Sequence, residues 1–82
     1  MTITTVTLIH KYGTSRECNV LRVDHDGFVI RWGFQEYHLH VKRNKLVRIH
    51  GNRITKQFNW SADNIEELRE FHTQWLKNSD HH

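Results

Sequence analysis

The stretch from Glu36 to Gly51, EYHLHVKRNKLVRIHG, carries the side chains with the clearest chemistry: three histidines and four cations beside one acid. Imidazoles at this density can ligate a metal ion or, together with lysine and arginine, hold phosphate oxygens. From Tyr37 to Trp60 the chain has six Lys or Arg residues and no acid. A segment with one charge sign is not needed for folding, and it attracts polyanions.

Length and composition place the chain among small globular proteins. Its 82 residues suffice for one domain, and a hydrophobic fraction of 37% with three Trp, two Tyr and four Phe predicts that it folds. The single cysteine, Cys18, cannot form an internal disulfide, so we expect a cytoplasmic location. No stretch has the apolar length of a membrane span, and residues 1–13 lack the pattern of a signal peptide.

Alternating apolar and polar residues predict β-strands as far as Trp60. Residues 2–12 form the first expected strand, and Asp26-Gly27 is a typical hairpin turn between the next two. Strand parity in that hairpin predicts that Leu21 and Val23 share a face with Phe28. The same parity leaves Cys18 and Val20 on the opposite face.

The stretch that opens this section is expected to form a second hairpin. Pairing Val41 with Val47 and Leu39 with Ile49 collects apolar side chains on one face, with Leu46 on the other, and leaves a loop of residues 43–45. Asn44 is the loop residue that best tolerates a left-handed backbone.

A further hairpin is expected to turn at Gly51-Asn52. In it Ile49 pairs with Ile54, and His50 pairs with Arg53. The predicted meander therefore continues to Trp60.

From Ser61 the period becomes helical. An apolar stripe at spacings of three and four predicts an amphipathic helix: Ile65, Leu68, Phe71, Trp75 and Leu76. Ser61 or Asp63 is the expected N-cap.

The sequence thus predicts one α+β domain over residues 1–78, with an antiparallel β-meander or small half-open barrel of five to six strands (2–60). One C-terminal helix (61–78) packs on the apolar face. Residues 79–82 read as a frayed tail, in which His81 and His82 resemble the remnant of an expression tag.

The predicted second hairpin gathers the cations and histidines on its outer face. These residues are the expected nucleic-acid-binding set: Lys42, Arg43, Lys45, Arg48, Arg53, His38, His40 and His50. Contacts to phosphates would make binding salt-dependent and weakly sequence-specific. Bases would need exposed aromatics to stack on, and Trp32, Phe34 and Trp60, near strand ends, are the candidates.

Three other functions are alternatives, and the runner-up among them is a small regulatory or inhibitory protein. A zinc site could form where His38 and His40 face His50 across the predicted hairpin, although neighbouring cations would repel the ion. A small regulatory or inhibitory protein could dock a protein partner through acids on the outer helix face, Glu66 among them. Catalysis is not expected, because DHDG (24–27) is explained as a turn and the chain has no glycine-rich phosphate loop or other catalytic motif; no cofactor is expected either.

Overall fold

The computed structural model describes residues 3–50 and 53–79. The elements are β1 (Thr5–His10), β2 (Ser15–Val23), β3 (Gly27–Trp32), β4 (Gln35–His40), β5 (Lys45–His50), β6 (Arg53–Gln57), β7 (Trp60–Ala62) and α1 (Ile65–Ser79). The predicted α+β class is confirmed: an antiparallel sheet curls into a half-barrel, and one C-terminal helix packs on it. Within the described residues the sheet has seven strands, where five or six were predicted.

The unexpected strand is β7. The strand order is β6-β5-β4-β3-β2-β1-β7, so β7 lies at the edge beside β1 although it follows β6 in the chain. Its three pairs with β1 run from Leu8 with Ala62 to His10 with Trp60. Because residues 60–62 are extended, the helix predicted from residue 61 begins at Ile65 instead. Asn64 takes the N-cap position instead of the predicted Ser61 or Asp63. Its carbonyl accepts the first helical hydrogen bond, from the Leu68 amide, but its side-chain Oδ1 has no hydrogen-bond partner.

A single side chain joins β7 to the β4–β5 loop. Asn44 Oδ1 accepts a hydrogen bond from the Ala62 amide at 2.7 Å, and Asn44 Nδ2 donates to the Ala62 carbonyl at 3.3 Å. The Asn44 backbone has φ of 51°, the left-handed conformation expected from the sequence. Asn44 thus satisfies the free backbone groups of an edge strand and draws the curled sheet together.

Replacing Asn44 with alanine should lower the free energy of unfolding by about 2 kcal/mol, because two partly buried hydrogen bonds are lost and alanine is strained at positive φ. Asn44→Gly loses the same bonds without the strain and should be milder by about 1 kcal/mol. Urea unfolding of the three proteins measures both differences. An alanine variant as stable as the wild type would contradict the role of Asn44 in closing the sheet.

The β4–β5 register differs from the predicted one. The observed pairs are His38 with Val47, Leu39 with Leu46 and His40 with Lys45. The sequence predicted Leu39 opposite Ile49 and Leu46 on the outer face, and both predictions are wrong. A loop of residues 41–44 lets the adjacent Leu46 and Val47 both be buried: Leu46 enters the core, and Val47 lies beside His38 on the other face.

A β-bulge changes the predicted parity of the first hairpin. Val20 pairs with Ile30, but Val23 pairs with Phe28, so Leu21 is the extra residue. Cys18 is therefore buried in the core and Val20 packs against it, contrary to the prediction, while Leu21 is exposed.

The third hairpin has the predicted pairs. Ile49 lies opposite Ile54, and His50 lies opposite Arg53. Residues 51 and 52, where the turn was predicted, lie outside the described residues. A second bulge falls between Arg48 and Ile49.

The helix covers one end of the half-barrel. Leu68 is fully buried, Ile65 and Phe71 pack against the core, and the Phe71 ring lies 6.0 Å from that of Phe28. Phe28 is the second residue of β3 and lies beside the β2–β3 and β4–β5 loops. We call this end of the barrel the helix end. Trp32 finishes the same strand, opposite Gln35, and marks the other end of the barrel. The two ends carry different chemistry.

Candidate functional site

The structure does not gather the predicted cations and histidines on one face. His38 is 5% exposed and His40 is half-buried, while Lys42 and Arg43 are exposed in the β4–β5 loop. Lys45 and Arg48 are exposed on β5, but strand alternation places them on opposite faces. The side chains of His50 and Arg53 lie outside the described residues. The single basic face is therefore a wrong prediction, caused by the wrong β4–β5 register.

His38 is held by a carboxylate instead of facing solvent. Its Nε2 lies 2.6 Å from Asp24 Oδ2 and 2.8 Å from Asp24 Oδ1. Asp24 Oδ1 also accepts hydrogen bonds from the amides of Asp26 and Gly27 at 3.0 Å each. Partial burial alone would raise the pKa of Asp24, but the hydrogen bond and charge of His38 and the two amides outweigh it and hold the pKa below its ordinary value.

His40 lies beside His38, with the ring centroids 4.6 Å apart and the planes nearly perpendicular. Its Nε2 is buried and has no hydrogen-bond partner. Burial lowers the pKa of His40, the nearby charges of His38 and Arg43 lower it further, and Asp26 and Asp24 only partly oppose them. The folded protein therefore favours a neutral His40.

Acidification should destabilise the fold through His40. The pKa of His40 is lower in the folded chain than in the unfolded chain, so the unfolded state binds the proton first. This contribution to stability is complete above about pH 6.5 and is lost as the pH falls from there toward the folded pKa. The measurement is the urea midpoint at pH 7.5 and pH 5.0 for the wild type and His40→Gln. We expect a smaller drop for the variant; equal drops would contradict the assignment.

The three-histidine zinc site, weighed above only as an alternative, is not assembled by the observed register. His38 lies opposite Val47, so the register does not place His50 across from it. Within the described part of the chain, no group of three or more His, Cys, Asp or Glu side chains is arranged to hold a metal ion.

A continuous chain of six rings runs across the end of the barrel away from the helix, and we call it the aromatic rim. Its members, in contact order, are Tyr12, His10, Trp60, Trp32, Tyr37 and Phe58. Successive ring centroids are 5.1, 4.9, 4.7, 6.1 and 5.2 Å apart. Tyr12 is 81% exposed and the other five are half-buried. Phe34, at the tip of the adjoining β3–β4 turn, is 98% exposed.

Cations lie directly on this rim. Lys11 Nζ is 5.0 Å from the centre of Tyr12, Arg16 Cζ is 4.9 Å from that of Trp32, and Lys56 Nζ is 5.1 Å from that of Phe58. These distances are those of cation–π contacts. Arg48 lies opposite Lys56 and donates to Gln35 Oε1 at 3.0 Å. The rim therefore combines aromatic faces with positive charge.

A groove of about 290 Å³ adjoins the rim between β1 and the start of β5. Phe58 and Trp60 contribute rings to its lining, and Lys11 and Lys45 contribute charges. Lys45 thus comes from the predicted binding set, whereas Lys11 was not predicted. The rim as a whole did have a signal in the sequence. Aromatic residues cluster around short turns, Trp32 with Phe34 and Phe58 with Trp60, and such clustering places rings at one end of a meander.

Comparison with known protein families, curated proteins and solved structures found no match for this chain. In the described ranges, 3–50 and 53–79, no helix has the length and apolarity needed to cross a membrane.

Proposed function

We propose that the protein binds single-stranded nucleic acid at the aromatic rim, with bases stacked on exposed rings and phosphates held by the neighbouring cations. The observation that carries the proposal is the chain of six rings with three cations on their faces. Proteins that bind single strands without sequence preference combine these two features. A cytoplasmic location belongs to the same proposal, because the buried thiol of Cys18 is free.

Stacking is supported by two exposed rings: that of Tyr12 at one end of the rim and that of Phe34 in the adjoining β3–β4 turn. Other rings of the rim pack partly against the core instead: Trp32, Tyr37, Phe58 and Trp60. Tyr12 and Phe34 leave most of their faces to solvent, which costs a small domain apolar surface that it could have buried. Trp60 is half-buried in the groove beside Lys45. A base entering the groove would therefore meet an aromatic face and a cation together.

Phosphate binding is supported by the charge distribution. Lys11, Arg16, Lys45, Arg48 and Lys56 are all exposed. Cations around an aromatic surface attract a polyanion and release its counterions, so the binding constant should fall steeply as salt rises. Because base stacking is tolerant of sequence, the expected preference among bases is weak.

The test uses the native tryptophans as probes. Titration with a mixed-sequence single-stranded oligonucleotide at low salt should quench their fluorescence. Tyr12→Ala and Phe34→Ala should each weaken binding about tenfold, because one stacked base contributes roughly 1–3 kcal/mol. Lys45→Glu should weaken binding and make its salt dependence shallower.

The matched control is Lys77→Glu, which reverses the same charge in the last turn of α1 and should leave affinity nearly unchanged. Tyr12 and Phe34 are too exposed for their removal to unfold the domain, so lost binding reports contact with the ligand. No binding at low salt, or equal losses in the Lys45 and Lys77 variants, would reject the proposal. Binding to a protein but to no oligonucleotide would favour the regulatory or inhibitory alternative.

A further inference from the structure

A second and larger groove lies at the helix end of the barrel. It shares no lining residue with the groove beside the aromatic rim, although Lys42 and Arg43 of the β4–β5 segment line this groove and Asn44 and Lys45 line the other. Its volume is about 870 Å³, within the range of small-molecule pockets. Three elements form its walls: the tip of the β2–β3 hairpin, the β4–β5 loop and one face of α1. The lining residues are His25, Asp26, His40, Val41, Lys42, Arg43, Arg69, His72, Thr73 and Leu76.

Hydrogen bonds fix these walls relative to one another. His72 Nε2 donates to the Asp24 carbonyl at 2.7 Å and ties α1 to the first hairpin. Arg69 donates from Nε to the Val41 carbonyl at 2.8 Å and from Nη2 to the Lys42 carbonyl at 3.1 Å. These two bonds tie α1 to the β4–β5 loop. The Val41 amide donates to the Asp26 carbonyl and joins the two hairpins. The groove is therefore preformed, so a ligand would not have to order its walls.

The lining is strongly cationic. Lys42, Arg43 and Arg69 carry fixed positive charges, and Asp26 is the acid among the lining residues. Glu66 lies 3.5 Å from Arg69 Nη1 but is mostly exposed, and the Asp24 carboxylate is already bound by His38.

Three imidazoles, those of His25, His40 and His72, belong to the same lining, but the Nε2 atom of His72 is already bonded to the Asp24 carbonyl, so His25 and His40 are the ones that offer free nitrogen atoms. The buried Nε2 of His40 has no partner in the protein. Fixed cations beside imidazoles suit the oxygens of a phosphate group.

We propose that this groove binds a small dianionic phosphate, either the free ion or the phosphate group of a monoester. Lys42 and Arg43 would supply exposed charge at its mouth, and Arg69 would supply charge within its wall. This site is separate from the aromatic rim and does not depend on nucleic-acid binding. A single strand stacked on the rim would leave the groove free for its own ligand.

The test is a two-dimensional NMR titration of the full chain with inorganic phosphate and, separately, with glycerol 2-phosphate, against chloride at equal ionic strength. The chemical shifts of the amide and imidazole signals of His25, His40 and His72 should change as ligand is added and reach a plateau when the site is saturated. Tighter binding of the ester would identify a phosphorylated small molecule, and tighter binding of the ion would identify free phosphate. The double variant Lys42→Gln with Arg43→Gln should weaken either ligand at least tenfold. Both side chains are exposed, so the fold should be kept.

The matched control removes two charges at the rim, Lys11→Gln with Lys45→Gln. It should bind phosphate like the wild type but bind the oligonucleotide more weakly, and the groove variant should show the reverse. Shifts centred on the rim, equal losses in both double variants, or no difference from chloride would each overturn the proposal. Those outcomes are distinct from a failure of nucleic-acid binding, which the oligonucleotide titration measures on its own.

Discussion

Replacing Gly27 with alanine is expected to leave the domain largely unfolded at room temperature. Gly27 lies opposite His40 at the start of β3, with φ of 155°. A Cβ atom there would overlap the Leu39 carbonyl oxygen and lie 3.2 Å from the Val41 amide nitrogen. Both neighbours are backbone atoms of the next strand and loop, so β3 and β4 would have to separate.

The expected cost of Gly27→Ala is about 4 kcal/mol or more, which approaches the whole stability of a domain of this size. Circular dichroism and urea unfolding measure the loss. Gly33→Ala is the matched control: Gly33 also has positive φ, at 64°, but a Cβ there would meet no atom within 4 Å. That variant should lose only about 1 kcal/mol of backbone strain. A Gly27 variant as stable as the Gly33 variant would show that the close approach of β3 and β4 is wrong.

Asp24→Ala should have the second largest effect, a loss of about 3 kcal/mol. The change removes the acceptor of the Asp26 and Gly27 amides and leaves the buried Nε2 of His38 without a partner. An unsatisfied buried donor costs roughly 1–3 kcal/mol, and the turn loses its local hydrogen bonds. Because the Asp24 side chain is 41% exposed, water replaces part of what is lost. Urea unfolding at pH 7.5 measures the change.

Asp24→Asn separates the two roles of this carboxylate. Asparagine keeps an oxygen for the Asp26 and Gly27 amides, but it presents an NH₂ group to His38, which must then accept through Nε2. We expect a smaller loss than for alanine, together with a change of the His38 tautomer visible in its imidazole ¹⁵N shifts. If Asp24→Asn is as unstable as Asp24→Ala, the charge on Asp24 matters more than the turn geometry. If neither variant is destabilised, the link between Asp24 and His38 does not support the fold.

Hydrophobic periodicity was sufficient for the fold class and for several local features. The helical stripe around Leu68, the pairing of Ile49 with Ile54 and the left-handed Asn44 all follow from residue type and spacing. Each of them depends on neighbours in the sequence or on one short turn. Local rules of this kind act within a few residues and can be evaluated without the rest of the chain.

The wrong predictions arise where the local sequence allows two strand registers or two facings of a side chain, and contacts with distant residues decide between them. Leu46 and Val47 are both apolar, so alternation allows two registers for the β4–β5 hairpin, and the fold takes the one that buries both. The extra residue at Leu21 moves Cys18 and Val20 to the other face, and nothing in the alternation marks it. The strand β7 is three residues long, too short for a period to appear.

The site shows the same division. DHDG was correctly interpreted as a turn, but its Asp24 also binds His38, 14 residues away in the sequence. His72 was not predicted as a buried residue because a histidine on a helix is usually exposed, and its partner is the distant Asp24 carbonyl. The cationic residues were identified by composition, whereas their division between two grooves required the register. Residue types therefore indicated the chemistry, and long-range pairing decided its location.

The two strands at the edges of the sheet, β6 and β7, are consecutive in the chain, with only Phe58 and Asn59 between them. In a flat sheet, seven strands would set these edges roughly 29 Å apart, at about 4.8 Å per neighbour. The link from Gln57 to Trp60 can span no more than about 10 Å, at roughly 3.5 Å per residue. The short link therefore makes a flat sheet with this strand order geometrically impossible, so chain length by itself requires curvature, and the bonds from Asn44 to Ala62 add to it. The sheet could flatten only if the link between β6 and β7 were lengthened. A larger or smaller core would not have that effect.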